Sequence, residues 1–263
     1  MFCFLVLLFS CTNGKNKKQE NSQLSVESSN LLIIYCENSL APMFLEMEKE
    51  FEKKHNCDVR IVNDCAVNLV ELIEYSHRGD LFIPDALSTF ALLNNYTSVD
   101  IVDSVFIGYN QIVLLVPRGN PKGIHSELST LVNKDFSVAI ANPEASTLGL
   151  ETRKIIDGTG SYSNFARNVV AMTVDVKGLD KFVASNEVDY AITWTSGSLA
   201  RNESAGVDRL SLIPDVEVPV YLGMMSTSKN PIYAKYFMDF VSSGEQMGII
   251  LKNGLKRRRS QIF

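Results

Sequence analysis

Small polar residues at the ends of apolar runs are the groups in this chain with chemistry to offer. Asn38-Ser39-Leu40 is the first such set. Ser39 carries a hydroxyl and a backbone N–H, and Asn38 adds a side-chain amide. They follow Leu31-Leu32-Ile33-Ile34, which reads as a buried strand, and precede a helical pattern with Phe44, Met47 and Phe51 on one face. A helix N-terminus has unpaired N–H groups and a partial positive charge, so such a turn suits an anion. Asn38 or Ser39 is the expected N-cap, and capping alone is the plain reading of the same residues. Similar turns follow other apolar runs: Cys65-Ala66-Val67, Pro84-Asp85-Ala86, Ser146-Thr147-Leu148-Gly149, and Trp194 with Ser196-Gly197-Ser198.

Other chemistries find little support. The chain has no G-x-S-x-G, no H-E-x-x-H and no phosphate loop ending in Gly-Lys-Ser/Thr. Ser39 has no evident base partner. His55, His77 and His125 are scattered, and no C-x-x-C or His/Cys metal spacing occurs. Of five cysteines, Cys3 lies in the leader and Cys11 opens the polar stretch that follows it, leaving Cys36, Cys57 and Cys65. If the first two strands are parallel neighbours, Cys36 and Cys65 share one sheet edge. A Cys36–Cys65 disulfide is then open, and Cys57–Cys65 less so. No cofactor is called for.

Composition narrows the class further. The chain has 263 residues, 46% hydrophobic and 21% charged, with net charge −5. It can form one large domain or two medium lobes, and its charge argues against nucleic acid as a partner. The one basic run, Lys256-Arg257-Arg258-Arg259, reads as a solvated tail or a last helical turn.

The elements that must position the polar turns can be read in order. Expected strands and helices are strand 31–36, helix 41–54, strand 58–63, helix 67–77, strand 81–83 and a short helix 90–95. A strong strand at 111–117 follows, then a short helix at 128–132, strand 136–141, helix 150–156, strand 169–174, helix 178–185 and strand 188–194. The apolar run 218–225, helix 231–242 and the segment 246–251 close the chain. Alternating strand and helix argues for a parallel sheet flanked by helices. Ligands bind such sheets beyond the carboxyl ends of the strands. Those ends are Glu37 to Ser39, Asp64 to Val67 and Pro84 to Ala86, so three turns converge on one edge.

Residues 2–9 are apolar and too short to span a membrane, which suits a signal-peptide h-region. Leu8-Phe9-Ser10-Cys11 resembles a bacterial lipoprotein signal, which implies cleavage before Cys11 and lipidation of Cys11. Residues 12–30 are polar and cannot offset their ordering entropy, so 11–30 reads as a flexible tether. The folded part is then expected in the periplasm or on the outer face of the cytoplasmic membrane, held by lipid.

The order of motifs carries a wider resemblance. Asn38-Ser39-Leu40, the Glu48 to His55 helix, Gly79-Asp80-Leu81-Phe82-Ile83, Asn142-Pro143-Glu144 with Gly149, and Val218-Pro219-Val220 lie in the order of one family. Over Leu31 to about Leu255 the chain resembles the periplasmic molybdate/tungstate-binding proteins of ABC importers, and its N-terminal part is most similar to the tungstate branch. The resemblance implies an α/β, two-lobe, type II periplasmic-binding-protein-like fold. Each lobe is then a mostly parallel sheet flanked by helices, with two crossing strands as hinge. It implies a signal peptide at 1–10, a tether at 11–30, lobe one at 31–110 and 220–263, and lobe two at 111–219. It also implies a monomer that binds the oxyanion between the lobes and delivers it to an ABC permease and ATPase.

Carried over residue by residue, the resemblance puts Ser39, beside Asn38, on the first serine ligand. Cys65 and Ala66 stand where the family has a second serine turn, so only backbone N–H groups or a thiol serve there. Leu148 and Val176 fall on backbone-donor positions, and Trp194 on a tyrosine position, where its indole N–H donates. Asp85 and Glu37 stand close enough to repel a dianion unless turned away, protonated or drawn into an expanded coordination.

The leading reading is a lipid-anchored binding protein for molybdate or tungstate, not an enzyme. A binding protein for sulfate, phosphate or another small anion is the alternative. An enzyme on the same two-lobe fold and a sensing or adhesive surface lipoprotein are the competitors from other classes.

Overall fold

The computed structural model describes residues 30–133, 135–196 and 206–257, apart from the side chains at 213 and 214. The leader, the tether and Cys11 lie outside these residues.

β1 (Leu31–Glu37) sets the frame. Strand residues alternate between faces. Leu32, Ile34 and Cys36 are buried with Met43, Phe44, Met47 and Phe51 of α1 (Ala41–Lys54). Tyr35 goes to the other face, with Leu69, Val70 and Ile73 of α2 (Ala66–Ser76). β2 (Asp58–Asp64) and β3 (Leu81–Ile83) flank β1, both parallel to it, as helical crossovers require. α3 (Ser88–Tyr96) follows β3.

A second unit of the same kind lies further along. β5 (Val138–Ala141) leads into α4 (Thr147–Gly158), then α5 (Tyr162–Ala166), β6 (Val169–Thr173), α6 (Leu179–Ala184) and β7 (Tyr190–Trp194). β6 and β7 pair with β5, both parallel.

Two long antiparallel strands join the units. β4 (Ile101–Pro117) and β8 (Val207–Met225) pair with each other, β8 with β3, and β4 with β7. The result is one sheet in the order β2-β1-β3-β8-β4-β7-β5-β6. The β4–β8 register breaks at Ile112/Val113, where the partner changes from Val216 to Ser211. α7 (Pro231–Ser242), a 3-10 turn at Gly244–Gln246 and α8 (Met247–Lys252) return to the first unit. There Phe51 meets Phe237 edge-on at 5.0 Å between centroids and Phe240 at 5.5 Å, a geometry that favours aromatic pairs. No helix among the described residues is long and apolar enough to cross a membrane.

The buried apolar residues fall into separate cores. One spans β1, α1, β3, the Val220 to Met224 end of β8, and α7. A smaller one lies on the opposite face of β1. The third gathers Leu114, Ile140, Leu148, Phe165, Tyr190 and Trp194 around β5 and β7.

Several expectations need correction. The strands expected at 111–117 and 218–225 are the ends of β4 and β8. Their other halves mix polar and apolar residues, because those stretches are partly exposed. α4 begins at Thr147 and not at Leu150, because Ser146 is its extended N-cap residue. Neither Asn38 nor Ser39 caps α1. Its N-cap is Leu40, and a proline occupies its first turn, where the missing N–H costs nothing. α5 has no counterpart in the reading of the sequence. Cys36, Cys57 and Cys65 are buried free thiols, so the disulfide left open above is not formed.

Candidate functional site

Three helices begin around one cavity. Ala66 and Val67 open α2, Ser88 and Thr89 open α3, and Ser146 and Thr147 open α4, and all six line it. None of these helices has its N-terminus closed by a side-chain cap. In α3 the Thr89 and Phe90 N–H groups already meet the Ala86 and Leu87 carbonyls. First-turn N–H groups otherwise have no intrahelical acceptor, and each N-terminus carries a partial positive charge of roughly half an elementary unit. The cavity holds about 70 Å³. One water needs roughly 10–15 Å³ on the same scale, so a small ion or a few waters fit.

β5 positions α4 closely. A Cβ on Gly149 would stand 2.5 Å from the Ala141 carbonyl oxygen and from the carbonyl of Asn142. Glycine therefore lets the start of α4 press against the end of β5.

Behind the hydroxyl wall lies a buried acidic pair. Thr89 and Thr147 have their Oγ1 atoms 2.7 Å apart. Both reach Glu37 Oε1, Thr89 at 3.2 Å and Thr147 at 3.1 Å. The Glu37 carboxyl in turn stands within hydrogen-bonding reach of Asp85. Burial, followed by the charge of Asp85, pushes the Glu37 carboxyl well above the usual carboxylate range. Burial pushes Asp85 up to about 6, although hydrogen bonds from Glu37, Ser39 and Trp194 oppose this. Asp85 Oδ1 is buried without a partner. The neighbouring Cys36 thiol is raised by burial, then by Glu37 and Asp85, which favours its protonated form.

The expected ligand residues are distributed unevenly around this arrangement. Ala66 lines the cavity. Leu148 lies in the first turn of α4 with its side chain fully buried in the third core. Val176 also buries its side chain there. Ser39 donates to Asp85 Oδ2 at 3.2 Å, and the Trp194 indole N–H donates to the same oxygen at 2.8 Å. Asn38 donates to Asp175 and accepts from Asn63 at 2.7 Å. The Cys65 N–H is committed to Asp64 Oδ1 at 2.8 Å. So Ser39 and Trp194 both donate to the chain's own carboxylate.

Ser88 and Thr89 escaped the reading of the sequence. Their signal was there: two hydroxyl residues soon after the third strand, at the start of a helical pattern. Thr147 stands in the sequence as one of the small polar residues before a helical pattern.

Asp80 supports the site from outside. It accepts from Ile33 N–H at 2.8 Å, Ser228 Oγ at 2.8 Å, Lys229 N–H at 2.9 Å and Asn230 N–H at 3.1 Å. These bonds tie β1 to the segment leading into α7. Among the described residues, no group of three or more His, Cys, Asp or Glu side chains could hold a metal ion.

Comparison with known proteins agrees with the fold. The sulfate-binding protein SubI from Mycobacterium tuberculosis superposes with a TM-score of 0.75 at 14% identity, covering 86% of each chain. The periplasmic molybdate-binding protein of Azotobacter vinelandii gives 0.70 at 13% identity, covering 87% of this chain and 100% of its own. Peb3 of Campylobacter jejuni, with L-phospholactate bound, gives 0.69 at 17% identity, covering 86% and 100%. The α/β, type II periplasmic-binding architecture is therefore shared. No curated protein sequence matches the chain. Residues 32–256 match the family described as bacterial extracellular solute-binding protein, and the chain belongs to that family.

Proposed function

We propose that this solute-binding protein serves an ABC importer and takes a small oxyanion in the cavity between its two halves. The observation that carries the reading is the convergence of three helix N-termini and four hydroxyl residues on one small cavity. A dianion leaving water loses a large hydration energy, and convergent neutral donors can replace it. First-turn N–H groups of α2 and α4, including those of Ala66 and Leu148, would face the anion with Ser88, Thr89, Ser146 and Thr147. Val176 would contribute its N–H from the far side. Ser39, Asn38, Cys65 and Trp194 would act one layer back, by fixing the acids and the strand ends.

In this reading 31–110 with 220–263 and 111–219 are two lobes that close on the ligand, hinged at β4 and β8. Closure then presents one surface to a membrane permease and its ATPase. Cys11 would hold the monomer at the membrane by lipid after cleavage of 1–10, with 11–30 as leash. Fatty-acid labelling that disappears in Cys11→Ser checks the anchor. The site is read as binding and not as catalysis, since the buried thiol and the acid pair lack a positioned nucleophile.

Molybdate or tungstate is the first candidate ligand. A second reading, sulfate or phosphate, is favoured by one observation: the donors that the resemblance assigns to the metal oxyanion are engaged by Asp85.

A thermal-shift panel with molybdate, tungstate, sulfate and phosphate separates the two readings. A ligand at 100 times its Kd stabilises by about 2.7 kcal/mol, a clear rise in melting temperature. A rise with molybdate and tungstate supports the first reading, and a rise with sulfate or phosphate alone supports the second. No rise with any of the four overturns oxyanion binding.

A further inference from the structure

We infer that Glu37 and Asp85 hold one proton between them, and that this proton keeps the hydroxyls of Thr89 and Thr147 available to an anion in the cavity. The inference deepens the oxyanion reading above and rests on it. It makes the site proton-linked: the protein binds its anion more weakly as the pair loses its proton.

Counting protons leads there. Thr89 and Thr147 have one hydroxyl proton each, and both oxygens lie within reach of Glu37 Oε1 and of each other. With Glu37 ionised, both protons are drawn to its charge, since a hydrogen bond to an ionised acceptor is the stronger. The two hydroxyls then offer only lone pairs to the cavity, which repel an anion. With Glu37 neutral, its Oε1 is an ordinary carbonyl-type acceptor. One hydroxyl suffices for it, and the other can turn outward and donate.

Asp85 shows where the proton is held. Its Oδ2 accepts from Ser39 and Trp194, while Oδ1 is buried with no donor. A buried carboxylate oxygen without a donor is costly. A protonated Glu37 within reach supplies one. Ionising both acids so close together in a buried site is opposed by their mutual repulsion. The displacement of both carboxyls above the ordinary range agrees with this.

The surrounding charges reinforce it. Asp175, after β6, adds negative charge toward Asp85. Asp64 at the end of β2 is turned to the Cys65 N–H, and Cys36 on β1 keeps its proton. On α4, Lys154 is paired with Glu151, and Arg153 with Glu144 and Asp157. On β8, Glu217 is paired with Lys256. Lys154, Arg153 and Lys256 are therefore engaged with other carboxylates.

Titration calorimetry with molybdate and with sulfate tests the linkage, because both remain dianions between about pH 6 and 9. Wild type is expected to lose affinity with rising pH, by up to tenfold per unit for one linked proton. Binding enthalpies in two buffers of different ionisation enthalpy should report net proton uptake. Glu37→Gln cannot ionise, yet it keeps both an oxygen for the threonines and a donor for Asp85, so its affinity should be independent of pH. Infrared difference spectra of wild type serve if the variant fails to fold. A protonated carboxylic C=O band should be present at neutral pH and should grow when anion is added at high pH. Constant wild-type affinity across the range with no proton uptake, or equal pH dependence in Glu37→Gln, overturns the linkage and leaves the oxyanion reading standing. Absence of binding by both anions at every pH overturns the linkage for these anions, and the four-anion panel then decides whether the oxyanion reading falls with it.

Discussion

Asp85 is a side chain whose environment is nearly all protein. Two donors converge on one of its oxygens, the other is buried without a partner, and the Glu37 carboxyl stands within reach of the group. Its carboxyl, held up to about 6 against the usual 3.8, binds a proton more tightly in the folded than in the unfolded chain. The sign follows from linkage. Stability from this group is fully present below the unfolded value, is lost as pH rises through about 6, and stays lost above that. A shift of two units is worth roughly 3 kcal/mol. Asp85→Asn keeps an oxygen for Ser39 and Trp194 but cannot ionise. Urea denaturation at acidic and neutral pH should therefore show a smaller fall in stability with rising pH for Asp85→Asn than for wild type. An unchanged fall would mean that Asp85 is not the group responsible.

At the scale of elements, the site depends on where α4 starts. Gly149 lets its first turn sit against the carbonyls of Ala141 and Asn142, with no room for a Cβ. Gly149→Ala must push the turn away from β5, and Thr147 and Leu148 go with it. The expected cost is about 1–3 kcal/mol, as for other overpacked positions, together with weaker anion binding. Gly158, at the other end of α4, has nothing within 4 Å of its would-be Cβ. Gly158→Ala should leave binding untouched and change stability by less than about 1 kcal/mol. Denaturation curves and anion titrations of the two variants, side by side, check both statements. Equal behaviour would show that the close approach at Gly149 has no bearing on the site.

For the whole molecule, the question is what holds the two halves of the sheet together at the site. Side-chain contacts that cross between them there include Asn38 to Asp175, Glu37 to Thr147, Thr89 to Thr147, Asp85 to Trp194, and Ser88 to Glu151 at 2.7 Å. Each is worth about 1 kcal/mol net, and a conformational equilibrium of a few kcal/mol is within reach of one deletion. Asn38→Ala is expected to populate a more open form in the absence of anion, with a larger radius of gyration by small-angle scattering. Added anion should restore the compact form. Scattering identical to wild type in both conditions would remove Asn38 from the closing contacts.

The sequence by itself determined the elements with strong local periodicity. α1 and α7 occupy the residues that their apolar stripes marked, 41–54 and 231–242. β1 and β3 lie where unbroken apolar runs placed them. The strand-end turns that converge on one edge follow from alternating strands and helices alone. Tertiary structure decided the rest. The outer halves of β4 and β8 are partly exposed and carry no apolar run to announce them. Which atom a polar side chain meets was equally hidden, because the partners are remote in sequence. Ser39 meets Asp85 46 residues on, Trp194 reaches Asp85 across 109, and Asn38 finds Asp175 across 137. Periodicity fixes which way a strand-end residue points. Only the packing of distant segments fixes what it finds there, and here Ser39 and Trp194 find a buried carboxylate.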